Sequence, residues 1–395
     1  MRIENNREAR FTVNQSAVPL PLIMPSENHP DFDPVLGSQL LAAAHAQDSA
    51  TLQALLQRDD VDINIVGPDN LNALMISVVK GDHAAVAALV ARPDLLINTQ
   101  IDGGFSALML ASILNTPELV QTLLTRADLQ INDANLEGNT ALMLAATQGH
   151  VQVIELFKNR ADAAVNATNL VGGTALMLAA IAGKLDAVEC LKEFAGIDLN
   201  AVDGMYCTAL MHAVVNKHPA IVQSLKHCAD INATDSAKWT ALMYAADAGA
   251  PDIVLSLLQV GHVEHDTLNQ GERHSALMIA ASNGDELSVK HLIDFGANVL
   301  VCAADGRTAR EIAHDKGHIA IAETIALEQQ PYLDDLAQSL YWVSPPVTPD
   351  DEEDYPYIHE LVEAADAENR LTAIAEQESS TNGSLEPLAS DFALQ

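Results

Sequence analysis

The tripeptide Ala-Leu-Met recurs along this chain and limits how it can fold. Its copies begin at Ala73, Ala107, Ala141, Ala175, Ala209, Ala241 and Ala276. The first five copies are 34 residues apart, and the next two intervals are 32 and 35 residues. A fixed period between about 20 and 50 residues indicates a repeat architecture, in which each unit packs against its neighbours. Hydrophobic residues make up 49% of the chain but aromatic residues only 4%, which suits thin helices packed closely together.

The fourth repeat shows how one unit is built. After Thr140, which is placed to cap a helix, the sequence Ala-Leu-Met-Leu-Ala-Ala-Thr-Gln leads to Gly149, a residue that can end a helix in the left-handed conformation. Residues 150–157 then carry a helical apolar stripe. The polar stretch over residues 162–172 predicts a hairpin that leads into the next unit. Neither helix can bury its apolar face alone, so the units have to stack.

This unit resembles the ankyrin repeat, whose signature is Thr-Pro-Leu-His-x-Ala in about 33 residues. The similarity extends from about Gly37 to Glu328, with alanine in place of the family's proline and methionine in place of its histidine. Because a thioether cannot supply the hydrogen bonds of histidine, we expect these repeats to depend more on packing, with the methionines as core residues. The resemblance implies an all-α ankyrin-repeat solenoid of about nine stacked helix-turn-helix units, joined by β-hairpin loops and ended by degenerate capping repeats.

Two segments of different composition flank the predicted ankyrin-repeat domain, residues 37–329. Residues 1–36 contain five prolines among polar residues, which predicts disorder. Residues 330–395 contain 15 acidic residues and one basic residue, which predicts an acidic tail. Within this tail, residues 332–342 and 358–376 have helical patterns, so we expect one or two short helices.

The charge of the chain restricts its partners. A formal net charge of −34 repels phosphate backbones and anionic lipids, which argues against nucleic acid and membranes and favours a protein partner with a basic surface. The sequence has no apolar run long enough for a membrane helix. Its four cysteines are scattered without a CxxC pair, which is typical of a reducing, cytoplasmic environment. A capped array is expected to be a monomer.

The sequence contains no catalytic motif such as HExxH, GxSxG or a phosphate loop. Two groups of histidines are candidate metal ligands. They are His314 with His318, and His262, His265 and His274 in a longer hairpin. Because Gly317 interrupts the first group and the second lacks a fourth ligand, we interpret both as ordinary repeat and loop sequence. We therefore expect no enzyme activity, no cofactor and no metal.

The resemblance to ankyrin repeats implies that contacts are made by hairpin tips and first helices on a concave face. The apolar and aromatic residues predicted at successive tips, and hence for partner binding, are Phe105, Leu136, Leu170, Met205, Tyr206 and Trp239. For Phe105 and Tyr206, packing against neighbouring repeats is the alternative. Acidic residues predicted along the same edge suit a basic peptide or protein surface; they are Asp69, Asp102, Glu137, Asp203, Asp235 and Asp305.

Two functions are consistent with this sequence. In the first, the chain is a protein-protein interaction scaffold or adaptor that acts in its own cytoplasm. In the second, it is a secreted bacterial effector that binds a protein inside a host cell. Residues 330–395 would then be the translocation signal, because acidic, glutamate-rich C-termini resemble the secretion signals of such effectors.

Overall fold

The computed structural model describes residues 33–68 and 70–343, and side chains only as far as residue 332. This part of the chain is built from pairs of short helices, as the sequence predicts. It divides between Gln130 and Ile131 into two compact units, called unit 1 and unit 2 below.

Unit 1 contains three described helix pairs. They are α1 (Pro34–Ala46) and α2 (Ser49–Leu56), α3 (Ala73–Lys80) and α4 (His83–Val90), and α5 (Ala107–Ile113) and α6 (Pro117–Leu123). The first helices α1, α3 and α5 pack side by side, and so do the second helices α2, α4 and α6. The unit is therefore a two-layer stack of helices.

Unit 2 contains six described helix pairs with the same arrangement. They are α7 (Ala141–Gln148) and α8 (Val151–Lys158), α9 (Ala175–Ile181) and α10 (Leu185–Lys192), α11 (Ala209–Val215) and α12 (Pro219–Leu225), α13 (Ala241–Asp247) and α14 (Pro251–Leu258), α15 (Ala276–Asn283) and α16 (Glu286–Asp294), and α17 (Ala309–Asp315) and α18 (Ile319–Val343). First helices pack on first helices and second helices on second helices. The predicted stack of helical repeats is confirmed.

Each Ala-Leu-Met opens a first helix because the residue before it is an N-cap. The side chain of Thr140 accepts a hydrogen bond from the backbone N–H of Met143, and Gly149 ends α7 with φ +80°. Asn115 and Lys217 replace this glycine in two repeats and adopt the same left-handed conformation, with φ of 54° and 56°. Sequence-level capping rules therefore define both ends of the first helices.

All seven methionines of the Ala-Leu-Met motif are core residues, each about 1% exposed. The expectation that a thioether supplies no hydrogen bond in place of histidine is wrong at Met143. Its Sδ accepts the backbone N–H of Thr140 at 3.4 Å, while Thr140 caps Met143 in return. The methionine thus completes a reciprocal cap as well as filling the core.

Repeated asparagines join neighbouring repeats by hydrogen bonds, a feature that was not predicted from the sequence. In unit 1, Asn98 donates to the carbonyl of Asp128 at 2.7 Å and accepts the N–H of Gln130 at 2.9 Å. In unit 2, Asn166 makes the same pair of bonds to Gly196 and Asp198. Each side chain satisfies one donor and one acceptor in the next loop, which fixes the spacing of the repeats.

The predicted domain boundaries stay predictions, but two helices bear on them. Helix α1 begins at Pro34, three residues before the predicted start at 37. Helix α18 runs from Ile319 to Val343 and contains the predicted helix over 332–342. The predicted helix over 358–376, Asp69 and the segment before residue 33 lie outside the described residues.

Candidate functional site

In unit 2, the loops before α7, α9, α11 and α13 form compact tips, each held by one polar side chain. In unit 2, Oδ1 of Asn135 accepts the backbone N–H groups of Glu137 and Asn139, at 3.0 and 2.8 Å. Oδ1 of Asp203 accepts those of Met205 and Cys207 in the same way. The predicted hairpins are closed by isolated antiparallel bridges, such as Ala134 with Thr140, rather than by strands. These hydrogen bonds hold the backbones of both tips in place.

Successive tips of unit 2 are joined by backbone hydrogen bonds. The N–H of Leu170 donates to the carbonyl of Glu137 at 3.0 Å, and that of Gly204 donates to Val171 at 2.9 Å. Ser236 then donates to Met205 at 3.0 Å. These bonds place the tips of adjacent repeats directly side by side, like the rungs of a ladder. We call this arrangement the tip ladder.

The tip ladder exposes a contiguous set of apolar side chains. The exposed fractions are 53% for Leu136, 78% for Leu170, 58% for Met205 and 59% for Tyr206. These four residues were predicted from the sequence. Val171, which is 70% exposed, was missed because it follows Leu170 in a loop without periodicity. We call these five residues the tip patch.

Two of the predicted binding residues are more buried than the residues of the tip patch. In unit 1, Phe105 is half-buried, and its ring lies 3.1 Å from the position that a Cβ on Gly103 would occupy. In unit 2, Trp239 is half-buried and its ring centroid lies 5.2 Å from that of Tyr244. Both rings pack within their own unit. Both occupy the position immediately before the N-cap.

The predicted acidic edge is largely engaged inside the protein. Asp203 accepts a hydrogen bond from Nε2 of His212 at 2.8 Å, and Asp235 accepts one from the hydroxyl of Tyr244 at 2.6 Å. Their other carboxylate oxygens bind the tip backbones. Two of the predicted charges therefore have both oxygens engaged and are not free to bind a basic partner.

Burial and hydrogen bonding set the protonation of these groups. Burial by itself raises the pKa of Asp203, but hydrogen bonds from His212 and from two tip N–H groups bring this pKa below its ordinary value. Burial raises the pKa of Tyr244 well above its usual range, and the hydrogen bond to Asp235 raises it further. At neutral pH Asp203 is therefore a carboxylate and Tyr244 a neutral donor.

The remaining members of the predicted edge differ in their surroundings. Asp305 accepts hydrogen bonds from Arg307, which hold its pKa below the ordinary value. Glu137 is exposed and accepts a hydrogen bond from the side-chain amide of Asn139 at 2.9 Å. Asp102, in unit 1, is exposed at the start of a 3₁₀ turn.

At four consecutive repeats of unit 2, the residue that holds the tip is matched to a residue of the first helix. Where the tip carries Asn135 or Asn169, the residue nine positions later is a leucine. Where it carries Asp203 or Asp235, that residue is a histidine or a tyrosine that binds the carboxylate. The joint change from Asn and Leu to Asp and His or Tyr was the sequence signal that could have revealed this contact.

Two of the candidate metal-ligating histidines, His318 and His274, contact other groups of the protein. Gly317 has φ +83° and ends the turn after α17, and His318 bonds to the carbonyl of Ser282. His274 lies 3.4 Å from Glu272. Within the described ranges, no cluster of three or more His, Cys, Asp or Glu side chains is arranged to hold a metal ion. In the same ranges, no helix has the length and apolar character needed to cross a membrane.

Comparison with known proteins identifies a family and relatives among the solved structures. The family model of ankyrin repeats, which holds three copies, matches residues 40–133, 108–203, 189–267 and 242–335. The crystal structure of the ankyrin repeat domain of Bcl-3, "a unique member of the IkappaB protein family", matches with a TM-score of 0.51 and 22% identity. The match covers 55% of this chain and 96% of that chain. At this identity, the likeness shows the fold alone. The comparison with curated proteins found no match.

Proposed function

Because this chain belongs to the ankyrin-repeat family, we propose that it is an interaction scaffold or adaptor that binds a partner protein through the tip patch of unit 2. The observation that carries the proposal is the exposure of Leu136, Leu170, Val171, Met205 and Tyr206 on neighbouring tips. Monomeric proteins rarely expose large contiguous apolar patches without an interaction role.

The rigidity of the tip ladder supports this proposal. Binding to an already ordered surface costs less conformational entropy than binding that has to order a flexible loop. Here the tip backbones are already fixed by Asn135 and Asp203 and by the bonds between tips. Apolar anchors on such a surface contribute about 2 kcal/mol or more each when they are central to an interface.

The overall charge favours a partner with a basic surface. A net charge of −34 accelerates the approach of a positively charged protein and repels nucleic acid and anionic membranes. The carboxylates of Asp203, Asp235 and Asp305 are engaged internally, so this preference acts mainly at long range. It should weaken as salt is added.

We propose binding rather than catalysis, by a monomer in the cytoplasm. The family match and the tip patch both support an interaction role. The alternative, a secreted effector with its signal in residues 330–395, depends mainly on residues outside the described part. It is tested by deleting residues 344–395, which leaves α18 (Ile319–Val343) complete. Loss of export with unchanged circular dichroism would favour the effector, and unchanged localisation would exclude that role for this segment.

The test of the tip patch uses two matched substitutions. Leu170→Asp places a charge in the centre of the tip patch, whereas Leu287→Asp places one on α16, at a leucine that is also exposed, at 58%. Both variants should fold, because neither side chain is buried. A protein captured from lysate by the wild type and by Leu287→Asp, but at least about ten-fold less by Leu170→Asp, supports the proposal. Equal capture by all three proteins would refute it.

A further inference from the structure

The position two residues before each N-cap has a left-handed backbone in every described tip. The residues there are Asn70, Gly104, Gly138, Gly172, Tyr206, Lys238, Arg273 and Gly306, with φ between 55° and 82°. Glycine and asparagine adopt this conformation readily, whereas residues with larger side chains are disfavoured. Three consecutive tips of unit 2 nevertheless carry a tyrosine, a lysine and an arginine there.

The space available for a side chain at this position differs between these three tips and the two before them. A Cβ on Gly138 would lie 2.7 Å from the backbone nitrogen of Leu170, and one on Gly172 would lie 2.6 Å from that of Gly204. Only glycine fits at these two positions. At Tyr206, Lys238 and Arg273 a side chain is accommodated, but the left-handed backbone still disfavours it. Strain of this kind is commonly retained where it serves a function.

Packing within the protein does not explain why these three positions carry large side chains instead of glycine. Tyr206 and Lys238 are exposed and Arg273 is half-exposed. Among the residues whose side chains are described, the ion pairs at these tips join His212 to Asp203, His274 to Glu272 and Arg307 to Asp305. None of them includes Lys238 or Arg273. These two cations therefore remain available to a partner.

The tip ladder places the three residues in a row. Ser236 donates its N–H to the carbonyl of Met205, and Gln270 donates to Ala237 at 2.8 Å. Tyr206 and Lys238 follow the two acceptors in sequence, and Arg273 is three residues after Gln270. Tyr206 also belongs to the tip patch. The row thus continues the apolar patch into a segment that presents two positive charges.

We propose that the row of Tyr206, Lys238 and Arg273 binds an acidic stretch in an extended segment of the partner protein. The inference rests on the proposed function, since apolar residues of the same segment would lie on the rest of the tip patch. Lys238 and Arg273 attract the acidic residues that they contact directly. The net charge of −34 instead acts at long range on the partner as a whole. The nearby carboxylates of Asp203 and Asp235 do not oppose this, because both are turned inward and hydrogen-bonded. Glu272, beside Arg273, faces His274.

A nucleic acid strand is the competing occupant, because aromatic and basic side chains can also bind bases and phosphates. The net charge of the chain argues against it. The two occupants are separated by using both as probes. A random peptide library displayed on phage is selected against the full chain, and a fluorescent thirty-nucleotide poly-dT strand is titrated in parallel.

The test variant replaces all three residues by glycine: Tyr206→Gly, Lys238→Gly and Arg273→Gly. Because glycine relieves left-handed strain, its denaturation midpoint should be unchanged or higher. Its affinity for the selected peptides should nevertheless fall at least ten-fold. A structural role would instead lower the midpoint. Lys217→Gly is the matched control, since Lys217 has φ 56° but lies at a helix end away from the tips. It should leave peptide affinity unchanged.

The outcomes separate this inference from the proposed function. Enrichment of peptides that combine apolar residues with Asp or Glu, and their loss in the triple variant, supports the inference. If binding of the selected peptides requires Leu170 but the peptides are not enriched in Asp or Glu, the inference is overturned and the proposed function stands. Peptides indifferent to Leu170→Asp would overturn both. Binding of the poly-dT strand that the triple variant loses would overturn the acidic-peptide assignment.

Discussion

The hydroxyl of Tyr244 donates a hydrogen bond of 2.6 Å to Oδ2 of Asp235, which lies nine residues earlier in the chain. Oδ1 of the same carboxylate accepts the backbone N–H groups of Ala237 and Trp239, each at 2.8 Å. One side chain thus joins a first helix to the tip before it. The ring of Trp239 packs against that of Tyr244, so the contact fixes the tip in two ways.

Removing this hydroxyl should destabilise the protein. Tyr244→Phe leaves one oxygen of the buried Asp235 carboxylate without its partner, so we expect the free energy of unfolding to fall by about 1–3 kcal/mol. Urea denaturation followed by circular dichroism measures this free energy of unfolding. The double variant Asp235→Asn with Tyr244→Leu recreates the pairing found at Asn169 and Leu178 and should recover part of the loss. Tyr206→Phe is the control, since the Tyr206 side chain is exposed. A loss with Tyr206→Phe equal to that with Tyr244→Phe would contradict this account.

A second substitution should stabilise the protein. Asn72 caps α3 through Oδ1, but its Nδ2 is buried without a hydrogen-bond partner among the described residues. Five other first helices use threonine at this position. Asn72→Thr keeps the cap and removes the unpaired donor, so we expect a gain of about 1 kcal/mol in the free energy of unfolding. Asn72→Ala removes the cap and should cost about 1 kcal/mol. The urea midpoints of the two variants should therefore move in opposite directions.

The stability should depend on pH through His274. Burial lowers the pKa of His274 below its ordinary value of 6.5, and the nearby Arg307 and Lys316 act in the same direction, while Glu272 and Asp305 oppose it. The folded state therefore prefers the neutral imidazole. This contribution is present in full above the unfolded pKa and is lost as the pH falls from about 6.5 through the lower folded pKa.

His274→Gln removes this titration. The free energy of unfolding, measured by urea denaturation at several pH values from about 7.5 down to 5, should fall less steeply in His274→Gln than in the wild type. His262→Gln is the control, because His262 is exposed. If the wild type and His274→Gln gave parallel curves, another group would be responsible for the dependence.

The spacing of Ala-Leu-Met was enough to predict the helix pairs, because capping and apolar periodicity act within one repeat. The tip patch was predicted only in part. The sequence shows that Phe105, Trp239 and Leu170 are near tips, but not that the first two side chains are half-buried while the third is exposed. That difference depends on the backbone direction at each loop position. The acidic edge was misjudged for a related reason, since Asp235 meets Tyr244 only after the loop has folded back onto its helix.

The tip ladder itself can be tested at a glycine. Gly172 has φ +82°, and an added Cβ would lie 2.6 Å from the backbone nitrogen of Gly204, which donates to Val171. Gly196 has a similar φ of +76°, but open space surrounds its added Cβ. Gly196→Ala should therefore cost only the left-handed strain, about 1–2 kcal/mol. Gly172→Ala should cost this plus about 1–3 kcal/mol for displacing the next tip.

Urea denaturation of the two variants gives the comparison, and the difference between them isolates the contact between tips. Because displacement of the neighbouring tip also moves Leu170 and Val171 relative to Met205, Gly172→Ala should lose partner capture even at temperatures where it is fully folded. Gly196→Ala should retain it. Equal stability and equal capture for both variants would mean that the tips act independently, and the tip patch would then not be one surface.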